Sequence, residues 1–260
     1  MISEINLLLT RKREIKLGAK IKFLVINHVP EVNLGSYEAF LHSDKHQFKI
    51  FNFSSMKNPP PAYKFDALWV MGGPMNVWEE DRYPWLTKEK LFIKNWVLSL
   101  EKPFFGICLG HQLLGEALGA SVKKSRNPEI GFKEISLRPE VYSNNLLSNL
   151  PCDMLVLQGH SAEISDLSNK EVTVLASSRD CSIQALAFSN HAFSVQFHPE
   201  VVNETIQDWI SIPKIKRDFD EALGQKGISE LIEYQQKNSR ALISGAKLIY
   251  ENWLNLINKN

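Results

Sequence analysis

The chain has 260 residues, of which 44% are hydrophobic, and its 30 Lys and Arg nearly balance its 29 Asp and Glu. This length predicts one large domain, or one domain with an appendage. The balanced charge argues against a partner that is a nucleic acid or an acidic lipid. The three cysteines are an odd number without framework spacing, which argues against a disulfide-stapled scaffold.

The first part of the chain alternates apolar runs with helical patterns. Residues 1–19 are polar and predict an arm that precedes the fold. Beyond the arm we predict strands at residues 21–27, 48–53, 67–71 and 103–107, of which the first and the last are predicted to be buried. We predict helices that begin at residue 36 and that cover residues 87–100 and 109–118. Apolar, β-branched strands that alternate with helices are typical of a doubly wound parallel sheet.

After residue 120 the pattern changes to short strands at close spacing. We predict them at residues 121–124, 132–137, 154–157, 172–177, 183–188 and 193–197. This spacing indicates antiparallel hairpins that extend the parallel sheet.

From residue 203 onward the chain is polar and helical. An apolar stripe near the helical period consists of Ala241, Ile243, Ala246, Ile249, Trp253, Leu254 and Ile257. The stripe predicts a helix packed on the domain, with a homodimer contact or a platform for another partner as the alternatives. The predicted division is therefore an arm over 1–19, a main domain over 20–202 and a helical extension over 203–260.

No apolar stretch approaches the ~20 residues that a membrane-spanning helix needs. The arm carries its short apolar run before its basic cluster, which is the reverse of a secretory signal. We therefore expect a cytoplasmic protein without a membrane partner.

One stretch joins a buried strand directly to a helix and places Cys108 at the junction. Ligands of doubly wound folds bind beyond the carboxyl ends of the strands. A thiol at a helix N-terminus is favoured as the thiolate. Gly106 and Gly110 remove the Cβ atoms that a sharp turn would bring into contact. The stretch predicts a nucleophilic cysteine on an elbow.

The other cysteines lack such surroundings, so Cys152 and Cys181 are predicted to be inert. A second Cys or His cluster of suitable spacing does not accompany Cys108 and His111 in the sequence, and no metal site is predicted.

A nucleophilic cysteine needs a base, and the base needs an orienting group. His198 directly follows the strand-like run at residues 193–197, and Glu200 follows two residues later. Because residues i and i+2 of a strand share a face, Glu200 is expected to reach the imidazole of His198.

The third predicted strand ends in a glycine-rich stretch at residues 71–74 (MGGP). Such a strand end leaves a backbone N–H free, and with the N–H of Leu109 it can form an oxyanion hole. For this stretch alone, an ordinary Gly-Gly-Pro turn is the alternative.

These pieces resemble the class I glutamine amidotransferases. The resemblance rests on residues 71–75 (MGGPM), 106–112 (GICLGHQ) and 195–200 (VQFHPE), in that order. Residues 70–118 are most similar to the stand-alone, GMP-synthetase-like branch. The expected fold is α/β and flavodoxin-like, with a doubly wound, mostly parallel sheet, an antiparallel extension and a helical C-terminal tail.

The resemblance implies a role for each matching position. Cys108 would be the nucleophile, His198 the general base and acid, and Glu200 the group that orients His198. Gly73 and Leu109 would supply the N–H groups of the oxyanion hole.

It also implies substrate contacts from Gly72, Gln112, Gly131 and His160. The trio that begins at His160 departs from the family, because Ala162 stands where an aspartate is common. This departure bears on the specificity for glutamine.

The implied reaction cleaves a γ-glutamyl amide through a γ-glutamyl thioester and releases ammonia or an amine, with no cofactor. The chain contains no Walker-type ATP-binding motif. It would therefore pass ammonia to a separate synthetase subunit, or act by itself as a γ-glutamyl hydrolase on compounds other than glutamine. A non-catalytic regulatory or binding module is the third alternative.

Overall fold

The computed structural model of the chain describes residues 20–56, 58–139, 141 and 146–258. The predicted arm over 1–19 lies outside these residues. The strands are β1 (Lys22–Ile26), β2 (Gln47–Phe51), β3 (Ala67–Val70), β4 (Phe104–Ile107), β5 (Ser121–Leu137), β6 (Asp153–Ser165), β7 (Val172–Ser177), β8 (Ala185–Phe188) and β9 (Ala192–Val195).

The helices connect these strands and form the C-terminal part of the described chain. They are α1 (Ser36–Ser43), α2 (Trp85–Lys94), α3 (Leu109–Ala117), α4 (Thr205–Ile210) and α5 (Pro213–Ile257). A 3-10 turn covers Ala62–Lys64, and α2 continues into a π-helical turn over Asn95–Ser99. Helix α5 is kinked at Gly224, which has a φ of 65°.

In the described residues, nine strands form one sheet in the order β2-β1-β3-β4-β9-β8-β7-β5-β6. The pairings from β2 to β9 are parallel, and those from β9 to β6 are antiparallel. This topology confirms the predicted α/β class with its antiparallel extension and helical C-terminal tail.

The parallel strands β1, β3 and β4 are buried on both faces, as their continuous apolar sequences predict, whereas the edge strand β2 is largely exposed. In β1, Phe23 and Val25 face a core built with α1 and the C-terminal part of α5. Leu24 and Ile26 face a second core built with α2 and α3. The sheet is therefore covered by helices on both sides, and its strand ends are the place where side chains can meet a ligand.

The C-terminal part of α5 contributes Trp253 to the first core. This residue is fully buried, its ring lies 5.4 Å from that of Trp69, and its Nε1–H donates to the carbonyl of Phe104 at 3.2 Å. The predicted stripe is buried at Ala246 and Ile249 as well. The division of the chain at residue 203 stays a prediction.

Two strand predictions in the antiparallel region are wrong. The strands expected at residues 121–124 and 132–137 are one strand, β5, with a register shift between Lys124 and Glu129. Strand β6 extends to Ser165, beyond the predicted end at residue 157, so His160 lies inside a strand and opposite Glu129. The long β5–β6 ladder supplies hydrogen bonds that hold these polar residues extended despite their weak strand pattern.

Within the described residues, none of the helices is long and apolar enough to span a bilayer.

The burial of Trp253 predicts a large loss of stability on truncation. Trp253→Ala should lower the free energy of unfolding by about 3–5 kcal/mol, because it opens a cavity and removes one hydrogen bond. Urea unfolding would measure this loss. The matched control is Trp78→Ala, since Trp78 is 43% exposed. Equal losses in the two variants would contradict this account of α5.

Candidate active site

The candidate site lies at the carboxyl edge of the parallel strands. His28 follows β1, Gly73 follows β3, Cys108 follows β4 and His198 follows β9. Since the four strands are parallel neighbours, residues far apart in the sequence meet at this one edge.

Cys108 occupies a backbone conformation that non-glycine residues rarely adopt, with a φ of 52° and a ψ of −102°. Its N–H donates to the carbonyl of Val195 at 2.9 Å, which ties the turn to β9. A Cβ atom at Gly110 would lie 2.1 Å from the carbonyl oxygen of Val70, and one at Gly106 would lie 2.5 Å from that of Gly110. The two glycines therefore let α3 start directly against the sheet.

The side chains of Cys108, His198 and Glu200 are in consecutive contact. His198 is hydrogen-bonded to the Cys108 side chain, and its Nδ1–H donates to Glu200 Oε1 at 2.6 Å. All three residues are buried, with Cys108 6% exposed and the other two 3% exposed. The structure thus brings together the three residues that the sequence predicted would meet.

The local reason for the contact between His198 and Glu200 differs from the prediction. Strand β9 ends at Val195, so His198 and Glu200 do not share a strand face. Instead, the backbone N–H of His198 donates to the carbonyl of Leu157 on β6 at 2.9 Å. This bridge to β6 fixes the segment that carries both side chains.

The electrostatic surroundings of His198 favour its charged form. Burial lowers the pKa of His198, but the charges of Glu200 and Cys108 and the hydrogen bonds to both side chains outweigh burial and raise the pKa to about 10. His198 therefore holds a proton at neutral pH.

Trp209 of α4 covers the imidazole, with ring centroids 4.3 Å apart and an edge-on arrangement. A Cβ atom at Gly72 would lie 2.9 Å from His198 Cε1 and 3.5 Å from Cys108 Cβ, so Gly72 lies directly against both side chains. The contact between Trp209 and His198 was not predicted, because no sequence pattern links a tryptophan of a later helix to the residues at the strand ends.

Two backbone N–H groups beside Cys108 are free to bind a ligand. Those of Gly73 and Leu109 find no hydrogen-bond acceptor among the residues that the structure describes. Both residues line a cleft that also contains Cys108. These are the two groups that the sequence predicted for an oxyanion hole.

One wall of the cleft consists of polar residues around Ala162. Gln112 Nε2–H donates to the carbonyl of Ala162 and to Gln196 Oε1, both at 3.2 Å, and His160 Nδ1–H donates to the same carbonyl at 3.0 Å. Gln112, His160 and Ala162 all line the cleft. The backbone of Ala162, whatever its side chain, orients the two polar residues.

Gly131 lies elsewhere. It is absent from the residues that line the cleft with Cys108, and a Cβ atom at this position would lie 3.4 Å from Leu231 and 3.8 Å from Leu223 of α5. Its φ of 91° is a conformation that favours glycine. A substrate contact from Gly131 stays a prediction.

The first turns of α5 form the opposite wall. Lys214, Ile215 and Asp218 line the cleft, and Lys214 Nζ donates to the carbonyl of Pro74. These residues belong to the predicted helical extension, and their sequence gave no signal of a role in the cleft.

Beside the cleft, Glu129, His160 and Cys181 are the group in the described residues that could hold a metal ion. Glu129 Oε2 already accepts from Ser178 Oγ at 3.0 Å and from Gln184 Nε2 at 2.7 Å. Burial raises the pKa of the Cys181 thiol to about 12, and the nearby Glu129 charge acts in the same direction. This donor set therefore fits a hydrogen-bonded network better than a metal site.

Comparison with known proteins agrees with this geometry. The family model for glutamine amidotransferase class-I matches residues 33–210, which include Cys108, His198 and Glu200. The chain is 38% identical to a subunit of the glutamine-hydrolyzing GMP synthase of Saccharolobus solfataricus over 139 residues, 53% of this chain and 69% of the relative. It is 30% identical to the glutamine amidotransferase-like protein YfeJ of Salmonella typhimurium over 189 residues, 70% of this chain and 77% of the relative.

The fold has close counterparts among solved structures. The crystal structure of a glutamine amidotransferase from Thermotoga maritima superposes with a TM-score of 0.79 and 26% identity, covering 90% of this chain and 98% of that protein. With the family model matching more than half of the chain, the chain belongs to the class I glutamine amidotransferases.

Proposed function

We propose that this protein hydrolyses the side-chain amide of glutamine, with Cys108 as the nucleophile, His198 as the proton carrier and Glu200 as the group that orients His198. The observation that carries the proposal is the continuous buried contact from Cys108, which lines the cleft, through His198 to Glu200. A regulatory module would have no need of this arrangement.

The chemistry follows from these positions. The Cys108 thiolate attacks the amide carbon, and the developing oxyanion accepts hydrogen bonds from the N–H groups of Gly73 and Leu109. Each such donor lowers the barrier by about 3 kcal/mol in comparable sites. His198 gives its proton to the leaving nitrogen, the C–N bond breaks, and a γ-glutamyl thioester remains on Cys108.

The second half of the reaction reverses the role of His198. Having given up its proton with ammonia, the neutral imidazole accepts a proton from water, which attacks the thioester carbon. The C–S bond breaks, glutamate leaves, and the Cys108–His198 pair is restored. Glu200 keeps the ring oriented through both steps by its hydrogen bond to Nδ1.

The surroundings of His198 favour ammonia as the leaving group. The leaving nitrogen must lie beside His198, which is 3% exposed and enclosed by Trp209 and Gly72. Ammonia fits this enclosure better than a substituted amine does. Glutamine is therefore the proposed substrate, ahead of larger γ-glutamyl compounds.

The relatives that are named as one subunit of a glutamine-hydrolyzing GMP synthase suggest the fate of the ammonia. As an extension of the proposal, a separate synthetase subunit would take up the ammonia. The proposed nucleophile, proton carrier and oxyanion donors all belong to this chain, so hydrolysis itself is expected without a partner.

Removing the nucleophile should abolish the reaction. Cys108→Ala is expected to lower glutamate release from glutamine by roughly 10⁴-fold or more, because no thioester can form. Circular dichroism would confirm an intact fold, and Cys152→Ala, a change at an exposed cysteine, is the matched control. Residual activity within tenfold of the wild type would exclude the mechanism.

The pH profile should report the influence of Glu200 on His198. His198 must be protonated to act as an acid, so kcat/KM should fall as the pH rises through about 10 in the wild type. Glu200→Gln removes a charge that raises the pKa of His198, so the fall should move to lower pH, with a roughly 10³-fold lower maximum.

Glu31→Gln is the control for this profile, since Glu31 lines a small cavity together with Glu200. The control should keep the wild-type profile. If kcat/KM of Glu200→Gln fell at the same alkaline pH as that of the wild type, the assignment of His198 as the acid would be contradicted.

A substrate panel tests the leaving group. We expect kcat/KM for glutamine to exceed that for γ-glutamyl methylamide and γ-glutamylalanine by at least about 10-fold, as for an extra methyl group in a closed pocket. Trp209→Ala should lower the ratio of kcat/KM for glutamine to kcat/KM for the larger amides, because it opens the space around His198. Trp78→Ala should leave this ratio unchanged. A preference for the larger amides in the wild type would instead favour the γ-glutamyl hydrolase alternative.

A further inference from the structure

A buried histidine–carboxylate pair that the proposed reaction does not use lies next to the glycine-rich turn after β3. His28 follows β1 and Glu89 lies on α2, and their side chains are 1% and 0% exposed. His28 Nε2–H donates to Glu89 Oε1 at 2.9 Å, and the Trp85 ring stacks on the imidazole at 5.9 Å. Burial of such polar groups is unfavourable unless they are paired, so this pair requires a structural or functional explanation.

The other ring nitrogen of His28 contacts the glycine-rich turn. His28 Nδ1–H donates to the carbonyl of Gly72 at 2.9 Å. A carbonyl only accepts, and so does an ionised carboxylate, so the contacts on both sides call for an imidazolium. Burial lowers the pKa of His28, but the charge of Glu89 and the hydrogen bonds to Glu89 and Gly72 outweigh it and raise the pKa.

Peptide geometry links this hydrogen bond to the cleft. The Gly72 carbonyl and the Gly73 N–H belong to one planar peptide group, in which they point in opposite directions. A carbonyl held toward His28 therefore turns the Gly73 N–H away from His28, toward the cleft that contains Cys108.

A Gly-Gly peptide needs such a constraint. Glycine adopts positive and negative φ with similar ease, so this peptide can rotate more readily than one between bulkier residues. Rotation by half a turn would place a carbonyl oxygen where an oxyanion has to bind. The hydrogen bond from His28 opposes that rotation.

We propose that His28, held in place by Glu89, is a positioning residue that fixes the Gly72–Gly73 peptide with the Gly73 N–H directed at the oxyanion. The proposal rests on the proposed amide hydrolysis and adds two residues that touch neither the substrate nor Cys108. Glu89 acts one step further out, by orienting the imidazole of His28.

The test compares two substitutions of the same residue. His28→Leu removes both donors and should lower kcat for glutamine about 10²-fold, the effect of losing one oxyanion donor, with KM changed less than about threefold. His28→Asn keeps a short side-chain N–H that can reach the Gly72 carbonyl, and it should restore most of kcat.

Two further measurements separate positioning from general damage. Alkylation of Cys108 by iodoacetamide passes through no oxyanion. The alkylation rate of His28→Leu should therefore stay within about twofold of the wild-type rate. His191→Leu is the matched control, because His191 is also buried and its ring contacts the Val97 carbonyl at 3.0 Å, at the opposite edge of the sheet. It should leave kcat unchanged.

A reaction-independent probe keeps this inference separate from the proposed function. Glutamate γ-semialdehyde forms a thiohemiacetal with Cys108, and its affinity should fall at least about tenfold in His28→Leu. If the wild-type protein bound the semialdehyde but did not hydrolyse glutamine, the proposed glutaminase activity would be overturned and the positioning role of His28 would stand.

Equal semialdehyde affinity in wild type and His28→Leu would overturn the positioning role. The positioning role would also be overturned if His28→Leu and His28→Asn lost kcat equally and both were alkylated more slowly than the wild type. A wild-type protein that neither hydrolyses glutamine nor binds the semialdehyde would overturn it too.

Discussion

The strained turn at Cys108 is the constraint on which the rest of the site depends. A non-glycine residue with a φ of 52° costs about 1–3 kcal/mol, which the surroundings must offset. They do so through the hydrogen bond to Val195 and through the contact of α3 with β3, which the absence of a side chain at Gly110 permits. At this turn Cys108 and Leu109 both line the cleft, and the N–H of Leu109 has no acceptor among the described residues.

The turn at Cys108 forms a site only because the ends of three other strands lie beside it. Parallel pairing places the residues after β1, β3 and β9 at the same edge as Cys108. His198 then approaches from β9, and the Gly72–Gly73 peptide approaches from β3 with His28 behind it. The order of strands in the sheet therefore decides which distant residues share the site.

The sequence carried enough information for the parts of the site that depend on local patterns. The elbow and the glycine-rich strand end follow from residue types at short spacing. His198 and Glu200 meet as predicted, but the bridge to β6 holds them and they share no strand face. The continuous strands β5 and β6 could not be predicted, because their polar residues are held extended by the ladder between them. His28 and Glu89 were missed for a related reason. They are 61 residues apart, and only the packing of α2 against the sheet joins them.

The two ends of α5 show how the C-terminal segment serves both the fold and the site. Trp253 fills the core beneath the sheet, whereas Lys214 and Asp218 line the cleft above Cys108. Gly224, between these ends, has the φ of 65° that lets the helix change direction. Because the far end is anchored in the core and Lys214 binds the carbonyl of Pro74, the cleft wall is held to the turn that carries the oxyanion donors. The same C-terminal segment therefore contributes both to the hydrophobic core and to the lining of the cleft.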